Sequence, residues 1–261
     1  MVYKRKLELA KVAALSVSSL IFVMPIIFML NKSLGKNGLL NYAIVLQKTN
    51  MARNFANSSI VAASTIVLVV ITVSLAAYAF SKMYFPLKNA FYLLFLTGLM
   101  IPGASILFPT FLTIKKFGLI DNFIGLIGPY VATQIPFNLV IMKNYYDTVP
   151  NDLIEAARID GCGSLRILVS VIAPISAPAL SVVIIWVFIG CWNEFMYAFV
   201  FINRPEMRTL TALPLKFISQ FSTSYELVFA TLTLIEIPVI ILYLFTQQKL
   251  QEGITAGAVK G

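Results

Sequence analysis

Six long apolar stretches constrain this chain more than any other feature of the sequence. They cover residues 12–30, 58–81, 90–111, 123–142, 179–202 and 225–245. The hydrocarbon core of a bilayer is about 30 Å thick, and about 20 helical residues at 1.5 Å each cross it. A segment in lipid must also satisfy its own backbone hydrogen bonds, which a helix does. The sequence therefore predicts an all-α polytopic membrane protein with six transmembrane helices.

The composition supports this class and excludes several kinds of chemistry. Hydrophobic residues make up 59% of the chain and charged residues only 12%, whereas about a quarter of an ordinary soluble domain is charged. The chain has no histidine, so it has no imidazole base or imidazole metal ligand. Cys162 and Cys191 lie in different predicted compartments and predict neither a disulfide nor a metal site. We expect no metal centre and no catalytic site.

Basic residues before the first stretch predict the orientation. Lys4, Arg5, Lys6 and Lys11 form a cationic cluster, and such clusters normally stay in the cytoplasm. Six spans return the chain to its starting side, so we expect both termini in the cytoplasm. On this topology eleven basic residues lie inside and nine outside, which is a weak bias. The net charge of +9 is spread over both faces, and no nucleic-acid partner is expected.

A short polar segment between the fourth and fifth stretches gathers over a third of the eleven carboxylates. The four acids are Asp147, Asp152, Glu155 and Asp160. Asp152 followed by Glu155 predicts an acidic capping box, and Gly161 predicts the end of the helix. A helix over 153–160 has only about two turns and is marginal in water, so it needs a surface to rest on.

Two kinds of surface are open for this short helix. Leu153, Ala156 and Ala157 form a small apolar patch, and Glu155, Arg158 and Asp160 flank it. The helix could lie on lipid headgroups or on the protein's own spans. The acidic side chains argue against an anionic lipid surface, where Lys and Arg normally dominate. The segment is better interpreted as a docking helix for a cytoplasmic protein.

Several motifs resemble one family. The pattern Glu155-Ala156-Ala157-x-x-Asp160-Gly161, with Pro174 and Pro178 downstream, resembles the EAA loop of ABC importer permease subunits. Cys162 replaces the alanine that usually follows the glycine. The segment "NSSIVAASTIVLVVITVSLAAYAFSKMYFPLKN" resembles the second-span region of sugar permeases, and "WNEFMYAFVFI" resembles their fifth span. The ending "GITAGAVKG" is similar to the tail of the maltose-permease type.

The resemblance implies a MetI-like permease core in a bacterial plasma membrane, which moves a carbohydrate by ATP-driven alternating access. The implied partners are a second permease subunit in a heterodimer, two cytoplasmic ATPase subunits, an extracellular solute-binding protein and the carbohydrate substrate. The chain lacks a Gly-x-x-x-x-Gly-Lys-Ser/Thr loop, so another chain must bind any ATP that is used, and the resemblance implies a transmembrane subunit that is not an enzyme. ATP and Mg²⁺ are expected on the partner ATPase, and no cofactor is expected in this chain.

The resemblance also implies roles along the chain. The expected divisions are a first transmembrane helix with its outer loop over 1–57, a core over 58–245 and a cytoplasmic tail over 246–261. The core includes a cytoplasmic coupling loop over 143–178. The implied ATPase-coupling residues are Leu153, Glu155, Ala156, Ala157, Arg158, Asp160 and Gly161. In the tail, Thr255, Ala256, Gly257 and Lys260 are expected to contact the ATPase, with a frayed end as the alternative.

The segment "CWNEFMYAF" is a candidate part of the substrate pathway. Trp192, Asn193, Glu194 and Tyr197 combine aromatic faces with amide and carboxylate groups, which suits a carbohydrate. An aromatic belt at the membrane interface is the alternative interpretation. The outer loop 203–224 resembles the loop that in maltose-type permeases reaches into the external binding protein, with a plain connecting loop as the alternative.

Other functions remain open for such a chain. An ion-coupled secondary transporter could use Glu194 or Glu236 as a proton relay, since intramembrane acids are usually functional. An intramembrane enzyme is disfavoured by the absence of histidine and of a paired catalytic constellation. A scaffold without a pathway is a further alternative.

Overall fold

The computed structural model describes residues 2–219 and 223–258. The helices in its first part are α1 (Val2–Leu34), α2 (Leu40–Lys48), α3 (Met51–Lys82), α4 (Lys88–Thr97), α5 (Gly103–Lys116) and α6 (Phe123–Thr148). Those that follow are α7 (Asn151–Ile159), α8 (Ser164–Ile167), α9 (Ala173–Ile175), α10 (Ala177–Trp192), α11 (Met196–Phe201) and α12 (Tyr225–Ala258). Within the described ranges, β-structure is limited to an isolated bridge between Ile218 and Thr223.

Four helical segments of the described chain are long and apolar enough to cross a membrane unaided. They are Leu15–Leu34, Met51–Lys82, Phe123–Thr148 and Tyr225–Gln247. Two bent helix pairs bring the total to six if each pair is one span. The prediction of an all-α polytopic fold with six spans is therefore confirmed, although two of the spans are not straight helices.

The third predicted stretch, 90–111, is one of the bent pairs. Helix α4 continues as a 3-10 turn to Met100, and α5 then leaves at an angle of 101°. Pro102 explains the break, because a proline disfavours the helical conformation of the residue before it. Ile101 is accordingly extended, with φ −90° and ψ 114°.

The fifth predicted stretch, 179–202, is wrong as a single helix. Helix α10 ends at Trp192, and α11 begins only at Met196. On its other side α10 is bent by 85° from the segment Ser164–Ile175, which contains a π-helical turn over Leu168–Ile172. Apolar composition does not mark the bend before α10, where Ser176 lies between Ile175 and Ala177. At the break after Trp192 the polar pair Asn193 and Glu194 is too short to divide the apolar stretch.

The contacts divide the chain into two compact units. One unit comprises Met1–Met51 and Leu213–Ile237. Its small core contains Val45, Phe217 and Ala230. The other unit comprises Ala52–Ala212 and Pro238–Gly261.

The core of the second unit is formed by helical stripes. The buried residues include Val69, Val73 and Ala77 of α3, Leu139, Met142 and Tyr146 of α6, and Val183 and Val187 of α10. Their spacing of three to four residues places each set on one face of its helix. In a membrane such faces associate through close packing, since lipid is as apolar as the side chains. The same core includes residues of α7, the short helix in the polar segment between the fourth and fifth predicted stretches.

Candidate functional site

The start of α7 is held by Lys82 at the end of α3. The Lys82 Nζ donates to the Val149 carbonyl at 2.6 Å and to Asn151 Oδ1 at 3.0 Å. The helix begins at Asn151, and its N-cap, Pro150, makes no side-chain capping bond. The predicted capping box of Asp152 and Glu155 is therefore wrong, because Asp152 already lies inside the first turn. There its negative charge still favours the positive end of the helix dipole.

Asp147, the first acid of the polar segment, forms its contacts with other residues of this chain. Its Oδ2 pairs with Lys143 Nζ at 2.7 Å, and its Oδ1 accepts from Ser81 Oγ at 2.6 Å. These contacts fasten the end of α6 to the end of α3. The four acids of the sequence segment therefore do not form one group, and only the three that follow Asp147 belong to α7 and its end.

The end of α7 is closed by Gly161, which has a φ of +79°. The Cys162 amide donates to the Ala157 carbonyl at 2.9 Å, and the Gly161 amide donates to the Arg158 carbonyl at 3.0 Å. This pair of bonds is a Schellman motif, which satisfies carbonyls that a helix end leaves free. The predicted stop at Gly161 is confirmed.

The faces of α7 differ from the predicted patch. Ile154 and Ala157 are turned inward, with 4% and 8% of their surface exposed. Both belong to the core that includes Ile167 and Tyr146. Ala157 is therefore a packing residue, not part of an exposed patch with Leu153 and Ala156. Ile154 was not predicted as a buried residue, although its spacing of three from Ala157 is the signal of a buried helix face.

The outward face of α7 has its own apolar ridge. Leu153, Ala156 and Ile159 follow at spacings of three, and all are exposed; Ile159 exposes 87% of its surface. Glu155, Arg158, Asp160 and Gly161 are also exposed. An exposed ridge of this kind, rimmed by charges, is typical of an interaction surface. Ile159 was missed in the sequence because the EAA-like pattern leaves its position unspecified.

The buried face of α7 gives it a mechanical connection to the spans. Ile154 and Ala157 share a packed core with Ile167 and Leu168, which lie in the segment leading to α10. Packed interiors transmit displacement because they have few voids. A force on the outward face of α7 therefore reaches α6 and the bent segment before α10.

The candidate pathway residues surround the break between α10 and α11. The Glu194 carboxylate accepts from the Tyr130 hydroxyl at 2.5 Å and from the amides of Tyr197 at 2.9 Å and Ala198 at 3.2 Å. The Glu194 carbonyl also accepts from Thr211 Oγ1 at 2.8 Å. Glu194 thus caps α11 and links it to α6. Tyr130 was missed because no local pattern connects residues so far apart in sequence.

The predicted aromatic residues lie mostly inside the protein. Trp192 is 2% exposed and stacks on Phe188, with ring centroids 5.0 Å apart. Tyr197 is buried and meets Tyr130 edge to face at 6.2 Å. Asn193 is exposed and Glu194 is half-buried. The structure brings Glu194 and Tyr197 together but covers the ring faces that were expected to stack on a sugar.

The first part of the loop 203–224 is held by hydrogen bonds to other residues of the second unit. Asn57 Nδ2 donates to the Glu206 carbonyl at 2.9 Å, and Asn54 Nδ2 donates to the Arg208 carbonyl at 2.8 Å. Asp121 Oδ1 accepts hydrogen bonds from the backbone amides of residues 203 and 204, at 2.5 Å and 2.9 Å respectively. Residues 203–208 therefore form a fixed surface, and Asn54, Asn57 and Asp121 are positioning residues that the sequence did not reveal.

The predicted tail residues lie at the end of α12 or beyond it. Helix α12 continues to Ala258 and includes the backbone of Thr255, Ala256 and Gly257. Lys260 lies outside the described residues. In the part of the chain that the structure describes, no group of three or more His, Cys, Asp or Glu residues could hold a metal ion.

Comparison with known proteins identifies the family. The sequence profile of the family described as "Binding-protein-dependent transport system inner membrane component" matches residues 75–255. The chain belongs to this family. The matched range includes α7 and the breaks on both sides of α10.

Relatives of the permease carry sugar-transport names. It is 38% identical to the "Putative ABC transporter permease protein ORF2" of Caldicellulosiruptor sp. (strain Rt8B.4), over 85% of this chain and 80% of that protein. It is 36% identical to the "Trehalose/maltose transport system permease protein MalG" of Thermococcus litoralis, over 87% and 82%. It is 33% identical to the "Maltodextrin transport system permease protein MdxG" of Bacillus subtilis, over 79% and 75%. The resemblance to carbohydrate ABC importer permeases is confirmed.

A solved structure shows that the permease shares a known fold. A bacterial ABC transporter involved in the import of the acidic polysaccharide alginate superimposes with a TM-score of 0.82. The match covers 95% of this chain and 98% of that chain, at 23% sequence identity. This likeness shows that the two chains share one fold.

Proposed function

We propose that the permease is one membrane subunit of an ATP-driven importer that carries a carbohydrate across the bacterial plasma membrane by alternating access. Family membership and the sugar-transport names of the relatives support this. The observation that carries it is the two-sided character of α7. Its inner face is packed into the core, and its outer face is an exposed apolar ridge with charged flanks.

The ridge of α7 is the surface on which a cytoplasmic ATPase subunit seats. Covering Leu153 and Ile159 removes apolar surface from water, and full burial of one such side chain contributes about 1.5–3 kcal/mol. Glu155, Arg158 and Asp160 give the contact its orientation through charged hydrogen bonds. When the two ATPase subunits close on ATP, α7 moves, and Ile154 transmits the motion to the core.

The proposed assembly implies an orientation of the chain in the membrane and assigns ATP and Mg²⁺ to the partner subunits. The coupling loop 143–178, the tail 246–261 and both termini lie in the cytoplasm, and residues 58–245 form the permease core. ATP and Mg²⁺ bind the two ATPase subunits. A second permease completes the pathway, and an external solute-binding protein delivers the carbohydrate to the outer face. Thr255, Ala256, Gly257 and Lys260 are part of the tail that approaches the ATPase.

The geometry of Glu194 bears on the cargo and on the alternative mechanism. Its carboxylate already accepts three hydrogen bonds from Tyr130, Tyr197 and Ala198. A proton relay must exchange protons with water, and a carboxylate held by three donors within its own chain is poorly suited to this. Glu194 is therefore a poor candidate for a relay, and the sugar ABC permease names of the relatives do not favour an ion-coupled mechanism. If Trp192, Asn193 or Glu194 touches cargo, Asn193 is the exposed side chain that can reach it.

The test is sugar uptake by cells that express the permease from its own locus and by cells in which it is deleted. The labelled sugars are maltose, trehalose, maltotriose and diacetylchitobiose. We expect the deletion to abolish uptake of at least one of them. Arsenate, which depletes ATP, should stop wild-type uptake, whereas a protonophore added to cells with sustained ATP should not. Uptake that survives ATP depletion and collapses with the proton gradient would contradict an ATP-driven mechanism.

A further inference from the structure

Glu236 is an acidic residue at the centre of a membrane span. The apolar part of α12 is Tyr225–Gln247, and Glu236 lies eleven residues from each end. At 1.5 Å per residue it is about 16 Å from either end of the span. Since the hydrocarbon core is about 30 Å thick, this position is close to the bilayer midplane.

The described part of the chain offers no partner to the carboxylate of Glu236. The side chain is half-buried, and among residues 2–219 and 223–258 the structure gives it neither a hydrogen bond nor an ion pair. Glu194 is different, because three donors hold its carboxylate. An intramembrane acid without a partner is costly unless it faces water or another protein. Glu236 must therefore be satisfied from outside this chain.

The helix around Glu236 offers further polar atoms. Pro238 lies inside α12 and has no amide hydrogen, so the Leu234 carbonyl loses its usual helical donor. One turn before Glu236, Thr233 donates its hydroxyl hydrogen to the Phe229 carbonyl at 2.9 Å, which leaves its oxygen able to accept. These acceptors cluster at the depth where lipid offers no hydrogen-bond donors.

The acceptors fit a ligand that is rich in donors. A carboxylate accepts several hydrogen bonds and donates none when ionised, and carbohydrate hydroxyls donate. A carbohydrate that crosses the membrane must pass the midplane through a water-filled cavity. We propose that Glu236 lines the translocation pathway between this chain and the second permease and accepts hydrogen bonds from hydroxyls of the carbohydrate cargo. This proposal rests on the proposed function and adds a ligand at a defined residue.

The first test measures whether Glu236 faces water. Glu236→Cys is made in a chain that also carries Cys162→Ser and Cys191→Ala, within the complete transporter in native membranes. The probe is 2-sulfonatoethyl methanethiosulfonate, a charged thiol reagent that does not dissolve in lipid. The matched control is Ile237→Cys at the same depth, because its side chain points about 100° away around the helix.

We expect Glu236→Cys to react at least about tenfold faster than Ile237→Cys, and an imported sugar to slow that reaction. A cysteine at position 236 that does not react overturns the proposal, because the position then faces lipid or packed protein. The result depends on the position of α12 and not on which sugar is imported.

The second test measures cargo binding. Glu236→Gln keeps the size of the side chain and removes its charge, and Glu226→Gln on the same helix is the control. A hydrogen bond to a charged group typically changes binding by about tenfold or more when it is weakened. We expect the KM for the imported sugar to rise by about tenfold in Glu236→Gln, with the purified complex at its normal yield and Glu226→Gln unchanged.

The outcomes separate this proposal from the proposed function. An unchanged KM in Glu236→Gln, with normal wild-type uptake, overturns the ligand role alone. Loss of the second permease from the purified Glu236→Gln complex also overturns it, because Glu236 then pairs with that subunit and not with cargo. If deletion of the permease leaves the uptake of every imported sugar unchanged, the carbohydrate function itself is contradicted, and the thiol reaction still decides whether residue 236 faces water.

Discussion

Ala156 and Ala157 are neighbours in α7, yet only Ala157 is buried, with 8% of its surface exposed. Ala157 packs beside Ile154 against the core, whereas Ala156 lies on the exposed ridge. The two residues therefore mark the two faces of α7, one packed and one exposed. One residue holds α7 to its own chain, and its neighbour is available to a partner.

Arginine substitutions at these two positions should have different effects. Ala156→Arg should leave the yield and thermal stability of the permease unchanged but abolish cargo-stimulated ATP hydrolysis by the purified complex. Ala157→Arg should destabilise the permease itself, because overpacking of a core typically costs about 1–3 kcal/mol and a buried charge adds to that cost. Thermal unfolding and ATPase activity measured on the same samples check both. Wild-type ATPase stimulation in Ala156→Arg would count against docking on the ridge.

Gly161→Ala should loosen the end of α7 through the backbone alone. Nothing lies within 4 Å of an added Cβ, so the change causes no clash. The φ of +79° is unfavourable for alanine by about 1–2 kcal/mol. Hydrogen exchange at the amides of Gly161 and Cys162 should accelerate about five- to thirtyfold.

Gly163→Ala is the matched control for that measurement. Gly163 also has open space around it, but its φ is −74°, which alanine tolerates. Equal acceleration in the two variants would show that the left-handed residue does not set the end of α7.

Lys82→Met should release the first turn of α7 without disturbing the spans. The variant keeps the aliphatic stem and loses the two bonds to Val149 and Asn151. Hydrogen exchange in the first turn of α7 should rise, while α3 stays protected. Lys88→Met is the control, because Lys88 lies at the start of α4 and donates to Met83 instead. A similar change in hydrogen exchange at α7 in both variants would contradict this account. The loss of a positive charge, and not the loss of the Lys82 hydrogen bonds, would then explain the change.

Tyr130→Phe should weaken the connection between α6 and α11. The Glu194 carboxylate would then keep only the two amide donors. A hydrogen bond to a charged group contributes about 1.5–3 kcal/mol, and the coupling in a double-mutant cycle with Glu194→Ala should be of that order. Thermal unfolding of the four purified proteins gives this value. Additive effects of the two substitutions would mean that the bond contributes nothing to stability.

Local sequence patterns predicted the parts of the fold that local physics controls. The apolar stretches predicted the spans, and Gly161 predicted the end of α7 because a left-handed residue suits glycine. The prediction that Ala157 lies in an exposed patch was wrong. Ala157 was grouped with Ala156 because the two residues are alike, whereas its helical spacing from Ile154 indicates the buried face. The break after Trp192 was missed, because 179–202 was taken as one apolar stretch although Asn193 and Glu194 interrupt it.

Contacts between distant residues were beyond the reach of sequence patterns. Tyr130 and Glu194 meet across 64 residues, and Asn57 reaches the backbone of Glu206 across 149. No spacing rule connects such pairs, because only the folded helices bring them together. The resemblance to a family supplied the proposed function, but it did not show that Trp192 and Tyr197 are covered or that Glu194 caps α11.

The central claim is that the exposed ridge of α7 seats an ATPase subunit, and photo-crosslinking from Ile159 tests it most directly. A benzophenone amino acid replaces Ile159, which is 87% exposed, or Phe117 at the end of α5, which is 70% exposed. We expect the Ile159 probe to crosslink a subunit that carries a nucleotide-binding Gly-x-x-x-x-Gly-Lys-Ser/Thr loop, identified by mass spectrometry, and the Phe117 probe not to do so. Crosslinks from Ile159 only to lipid, or to a protein outside the cell, would contradict the account.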